Sequence, residues 1–235
     1  MFTTERFFAR IWAFWFLTLM ISVLTLGVAP KIVFVPMAVS SFVTFCWCVK
    51  CAYRSERFAD FASLRLCFSL TAVPLFAFVL SMAITYKQSK MGGVAALAIS
   101  AVPLILTALA FALAYGHRSK ASSFLLRGER VEVFEPEQAN SWVVGGLGAG
   151  LSSLLYPTIK NYNSSMAVVL CVMVFISLYL VFYNRTNIAS LRALKERERR
   201  EARQYTFLEI EYVRALRDAS WLARVLHSRA ENKRY

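Results

Sequence analysis

Histidine is nearly missing from this chain, which has only His117 and His227, both in polar stretches. Two separated imidazoles cannot give bis-histidine haem ligation within a bundle, and they cannot build a His-rich metal centre. Acidic residues are also scarce, 14 Asp and Glu against 27 Lys and Arg. No Asp, Glu, Lys, Arg or His lies in the interior of any long apolar run. Ion-coupled transport and intramembrane catalysis generally need such a group at depth, where it persists only because it is used. The chain also lacks a nucleophile with an adjacent base, a Walker or Rossmann glycine loop and paired carboxylates at depth. The sequence therefore assigns no catalytic residue, no cofactor and no metal ligand, and an enzyme is not expected.

Cysteine is present five times, without a framework. Cys46, Cys48, Cys51 and Cys67 cluster near the ends of two apolar runs, and Cys171 stands alone. A four-thiolate site would need Cys46 and Cys48 on one side of a helix, yet residues two apart point almost oppositely. The expectation is small apolar fillers in a reducing compartment, with acylation of juxtamembrane thiols the alternative.

What the chain has in abundance is apolar residues, 58% of its length, against about half in an ordinary soluble domain. A hydrocarbon core of about 30 Å needs roughly 20 helical residues. Six runs qualify, near 8–28, 31–50, 66–86, 92–115, 142–159 and 165–183. The fifth is short and glycine-rich, so a re-entrant segment is its alternative. The first is read as an uncleaved span: it is long and aromatic, and Pro30 follows the only small-residue site, Gly27-Val28-Ala29.

The segment Asn184–Arg203 is strongly basic and follows the last run directly, which makes it a stop signal. With a cytoplasmic N-terminus, six spans leave 23 of the 27 basic residues on the inner side. Only Lys31, Lys87, Lys90 and Lys160 fall outside. The net charge of +13 thus reads as membrane orientation, and no nucleic-acid partner is expected. Trp47, Tyr53, Tyr115, Trp142 and Tyr183 near inner ends, with Tyr86, Tyr156 and Tyr162 near outer ends, fit an interfacial belt. The predicted fold is an all-α polytopic membrane bundle over residues 1–183, with a cytoplasmic loop at 116–141. A cytoplasmic basic amphipathic helical tail follows over 184–235. The predicted location is the cell inner membrane, multi-pass, with both termini cytoplasmic.

Three features are candidate functional elements. Spans three and four share the pattern Thr71-Ala72-Val73-Pro74-Leu75 and Ser100-Ala101-Val102-Pro103-Leu104. Pro74 and Pro103 are expected to kink their helices, either around a cavity as in transporters or as ordinary membrane prolines. In span five, Gly146 and Gly150, extended by Ser153, have the spacing that lets two helices approach closely. Hydroxyls within the spans, such as Thr18, Ser22, Ser40, Ser41, Thr44, Ser69, Ser81 and Thr107, are expected to bond back to their own helix or to join helices. A water path lined by them is the alternative.

The tail carries the third feature. Tyr205, Leu208, Tyr212, Ala215, Ala219, Leu222 and Leu226 follow a heptad spacing, and Phe207, Ile210, Trp221 and Val225 form a second apolar strip. One helix lying on its own membrane domain buries only one strip, so these large residues are the predicted partner contacts. Docking on the inner loops or the membrane surface is the competing use. Acidic Glu129, Glu132, Glu135 and Glu137 in the loop are opposite in charge to Arg197–Arg203, which predicts either docking of the two segments or independent solvation. Membrane lipid is one expected partner, and another protein or a second copy is the other. The functional expectation is an interaction protein: an accessory subunit of a membrane complex, or an immunity protein neutralising a membrane-acting partner. A channel or uncoupled transporter built on spans three to five is the alternative.

Overall fold

The computed structural model describes residues 2, 4, 6–116, 124–133 and 165–220. Runs of Leu, Ala, Phe and Val give helix α1 (Phe7–Val28) and, after Pro30 and a tight turn, α2 (Phe34–Val49), which widens into a further turn to Arg54. Helix α3 covers Phe58–Met82 and continues as a wider turn to Gln88, and α4 covers Gly93–Gly116. Beyond the loop come α5 (Ser165–Tyr183), α6 (Arg185–Glu201) and α7 (Ile210–Ala219).

Four of these segments are long and apolar enough to cross a membrane, and the bent pair α5–α6 makes a fifth candidate. The expected runs 8–28, 31–50, 92–115 and 165–183 match helices within a few residues. The helix that carries the run expected from 66 starts earlier, at Phe58, where Phe58, Phe61 and Leu64 are fully buried and hold another two turns together. The expected span at 142–159 lies outside the described residues. Large apolar side chains such as Val35, Phe42, Val94, Leu113 and Phe175 face outward, as they do when lipid rather than water is the solvent.

Helix α1 packs on α2 and α3, while α4 and α5 pack on α3 and on one another. Pro74 and Pro103 lie inside α3 and α4, and both helices run on through them. Each proline deprives the carbonyl four residues earlier, Leu70 and Ile99, of its backbone donor. Hydroxyls within the helices are turned inward on their own backbone. Ser22, Thr25, Thr44, Thr71, Thr85, Thr107 and Ser177 each donate to the carbonyl four residues earlier at 2.7–2.9 Å.

At Asn184 the chain turns by 48°. The Asn184 side chain is buried and donates to the Leu180 carbonyl at 2.9 Å, while Asn187 donates to the Asn184 side-chain oxygen at 3.1 Å. Helix α6 therefore does not prolong α5 but lies across the basic end of the bundle, with Ile188, Leu191 and Leu194 buried beneath it. It ends at Ala202, whose φ of 50° is left-handed.

The described residues are mostly helical, as an all-α membrane bundle requires, but a small three-stranded sheet that was not expected sits at the same end, ordered β1 (Phe124–Arg127), β2 (Arg130–Val133), β3 (Thr206–Phe207). Strands β1 and β2 form an antiparallel hairpin with Arg127 opposite Arg130. Gly128, at φ 63°, supplies the positive φ that two-residue hairpin loops demand. The alternation Arg130-Val131-Glu132-Val133 is a period-2 signal that the charges had masked. Strand β3 adds parallel to β2, pairing Val131 with Phe207. Among the described residues the loop and the tail thus meet through backbone, with Thr206 N–H donating to the Glu129 carbonyl at 3.0 Å, and through exposed charge: Arg130 pairs with Glu211 at 3.2 Å, while the expected acidic-to-basic contact is a loose one, Arg203 and Glu129 being 4.0 Å apart.

The continuous tail helix from Tyr205 is corrected as well. Between Ala202 and Glu209 the chain is extended or turning, and helix resumes only at Ile210. Pairing with β2, plus a bridge from Thr206 to Arg57, competes successfully with local helix propensity. Six phenylalanines close the cap. Phe58 lies 5.2 Å from Phe124 and 5.6 Å from Phe207, Phe61 is 5.4 Å from Phe207, Phe7 is 5.3 Å from Phe61, and Phe2 is 5.5 Å from Phe124. Most of these pairs meet edge to face, the arrangement ring quadrupoles prefer.

Candidate binding cavity beneath the basic cap

A cavity of about 370 Å³ opens between α3, α4 and α6 just below the cap. The proline-bearing halves of α3 and α4 build two walls: Leu70, Thr71 and Pro74 on one side, Leu104, Thr107 and Ala108 on the other. Ile188 and Leu191 of α6 form the roof, and Trp47 reaches in from α2. Ala108 and Phe111 are exposed, so the cavity opens sideways from the bundle among the described residues.

The walls offer little hydrogen bonding. Ser63 donates to the Ala59 carbonyl at 2.6 Å, Thr71 to Cys67 at 2.8 Å and Thr107 to Pro103 at 2.8 Å. These three hydroxyls are spent on their own helices, and the remaining walls are hydrocarbon and aromatic.

Arg192 and Lys195 stand at the rim. Arg192 is fixed: Nη1–H donates to the Tyr115 carbonyl at the end of α4 at 2.7 Å, and Nε–H to Glu196 at 2.8 Å. Its guanidinium lies 5.0 Å from the Tyr115 ring centroid. Around it the other charges pair off, Lys50 with Asp60 at 3.2 Å and Arg57 with the buried Glu198 at 2.6 Å. Lys195 makes no hydrogen bond or ion pair among the described residues, so the rim keeps one surplus cation.

A second polar cluster locks the cap to the bundle. Arg217 is buried and donates Nε–H to the Ala52 carbonyl at 2.7 Å and Nη2–H to Ser55 at 2.6 Å and Cys51 at 3.1 Å. Burial pulls its pKa below the ordinary arginine value. Arg214 grips Glu56 with two bonds of 2.9 and 2.8 Å, and this hydrogen bonding holds the Glu56 carboxyl below the usual carboxylate range. Glu198 accepts from the Tyr205 backbone N–H at 3.1 Å as well as from Arg57, so its buried carboxylate is bonded at both oxygens.

No family model, curated protein or solved structure matches this chain. Its function must be argued from this geometry alone.

The structure brings Pro74 into the cavity wall and buries Pro103 beside it. Tyr205, Phe207 and Ile210 face the protein's own core rather than a free surface. Within the single chain their apolar side chains help to close the cap. Leu208 is half-buried and Tyr212 exposed. Gly146, Gly150, Ser153, Trp221, Leu222, Val225 and Leu226 lie outside the described residues. Sequence reasoning passed over Trp47, Ser63, Arg192 and Lys195. The signal available was the spacing of Ile188, Leu191 and Leu194, an apolar stripe inside a segment read only as a solvated stop signal.

Proposed function

We propose that this membrane protein acts by binding another protein rather than by catalysis, as an accessory subunit of a membrane complex or a protective protein against a membrane-acting partner. It would sit in the cell inner membrane as a multi-pass protein with both termini cytoplasmic. The observation that carries the reading is the division of α7. Ile210, Val213 and Arg217 turn into the cap, while Tyr212, Ala215 and Ala219 form an outward strip. An apolar strip kept outside a cap that already has its core is a surface for something else, and the heptad spacing carries it on to Leu222 and Leu226.

A channel or uncoupled transporter is the second reading, favoured by the cavity between the two proline-bearing helices. Against it stand the wall hydroxyls, which are bonded to their own helices and leave a solute or ion few groups to replace its water.

Two measurements test the proposal. Reporter fusions after Ser119 and at the C-terminus are expected to be active only as cytoplasmic reporters, and fusions near Ser89 and Asn163 only as external ones. Tyr212→Glu combined with Ala215→Glu should insert and accumulate normally yet lose a partner that wild type retains through purification from its native membrane. An external signal at Ser119 ends the topology. Retention of every partner by the double variant, or a solute flux that changes instead, ends the binding reading.

A further inference from the structure

We infer that the cavity under the cap is a binding site for one chain of an anionic lipid, with its phosphate held at Lys195. The inference stands independently of any protein partner. Three properties of the site converge on this ligand chemistry.

The first is the wall. With the hydroxyls of Ser63, Thr71 and Thr107 bonded to backbone, a polar ligand would give up its water for few hydrogen-bonding groups in return. Hydrocarbon loses nothing there and fills space against Leu70, Leu104, Ile188 and Leu191. The second is size and access. About 370 Å³ is at the small end of the roughly 300–1,000 Å³ typical of ligand sites, enough for part of one acyl chain but not a whole lipid. The opening past Ala108 and Phe111 is lateral, the direction from which a lipid arrives. The third is charge. Once Lys50–Asp60, Arg57–Glu198 and Arg192–Glu196 are paired, the rim is left with the ammonium of Lys195. It sits beside an arginine fixed on the Tyr115 carbonyl and flanked by Trp47 and Tyr115, side chains suited to headgroup depth. A zwitterionic headgroup would set its own cation against Lys195, whereas an anionic one would not.

The test uses the full chain, purified and reconstituted in nanodiscs of phosphatidylglycerol or phosphatidylcholine, then released for native mass spectrometry to count retained lipids. One phosphatidylglycerol should survive per chain under conditions that strip phosphatidylcholine. Lys195→Gln should weaken its retention about fivefold, the effect of one basic residue beside an anionic surface, and Lys195→Arg should restore it. Ala108→Trp, which fills the cavity from its lateral opening, should abolish retention of the chain-bearing lipid. Inorganic phosphate should not compete, because the acyl chain carries part of the affinity. Should Ala108→Trp fail to accumulate, the Lys195 pair still decides. Equal retention of the two lipids overturns the inference, as does displacement by phosphate alone. Retention untouched by both Lys195→Gln and Ala108→Trp also overturns it, and means that the chain's own residues close the cavity.

Discussion

Arg217 donates its Nε–H to the carbonyl of Ala52 across 2.7 Å, and the same guanidinium reaches Cys51 and Ser55. A cation thus closes the C-terminal end of the second membrane helix, where unpaired carbonyls and the negative end of the helix dipole collect. Replacing it by methionine keeps the apolar stem but leaves carbonyls buried without donors, each worth about 1–3 kcal/mol. Arg217→Met should therefore unlock α7 while α1–α4 stay folded. Hydrogen exchange or limited proteolysis of the tail in detergent would reveal this, and a tail as protected as wild type would contradict it.

Acid should loosen the same joint. Arg214 holds the Glu56 carboxyl below its ordinary value of 4.5, so the stabilisation from Glu56 is fully present above that value. It fades as pH falls through the ordinary value toward the lower folded one. Thermal midpoints of the purified protein should fall more steeply below about pH 5 in wild type than in Glu56→Gln, which has no carboxylate to protonate. Parallel curves for the two proteins would count against this role.

Ala202 ends α6 in a left-handed conformation at φ 50°, which an L-residue adopts at a cost of about 1 kcal/mol or more. Glycine pays no such penalty. Ala202→Gly is expected to stabilise the cap by about 0.5–1 kcal/mol, seen as a higher thermal midpoint. A lower midpoint would mean that the break is set by contacts of the Ala202 methyl.

Gly146 and Gly150 are expected to let one helix approach another closely. Replacing both with leucine should lower the accumulation of folded protein, measured as monodisperse material after extraction. Normal accumulation with an altered conductance would instead mark them as lining a path.

Which parts of this structure could be read from the sequence follows from the range of the forces involved. Helices α1, α2, α4 and α5 were legible because bilayer thickness fixes their length and each satisfies its own backbone. The start of α3 was not: Phe58 and Phe61 are buried by Phe124 and Phe207, residues far away in sequence. The two-residue strand Thr206–Phe207 carries no local signal and exists because β2 and Arg57 offer partners. The bend at Asn184, made by one asparagine bonding back to Leu180, was not legible, because no local pattern says which way the chain leaves that residue. Half of the cavity was legible, since Pro74 and Pro103 drew attention to its walls. Its rim was not, because nothing in the local pattern says that Arg192 folds onto the end of α4.

The phenylalanine cluster joins Phe7, at the start of the first helix, to Phe207, beyond the described membrane helices. Its closure must wait for translation: at about 5–20 residues per second, Phe207 follows Phe7 by on the order of 10–40 s. Throughout that interval Phe7, Phe58 and Phe61 lack the ring that covers their shared side. A chain that stops short of Phe207 lacks the ring that joins Phe7, Phe58 and Phe61. The last ring to be made is thereby the one that binds the first helix to the third.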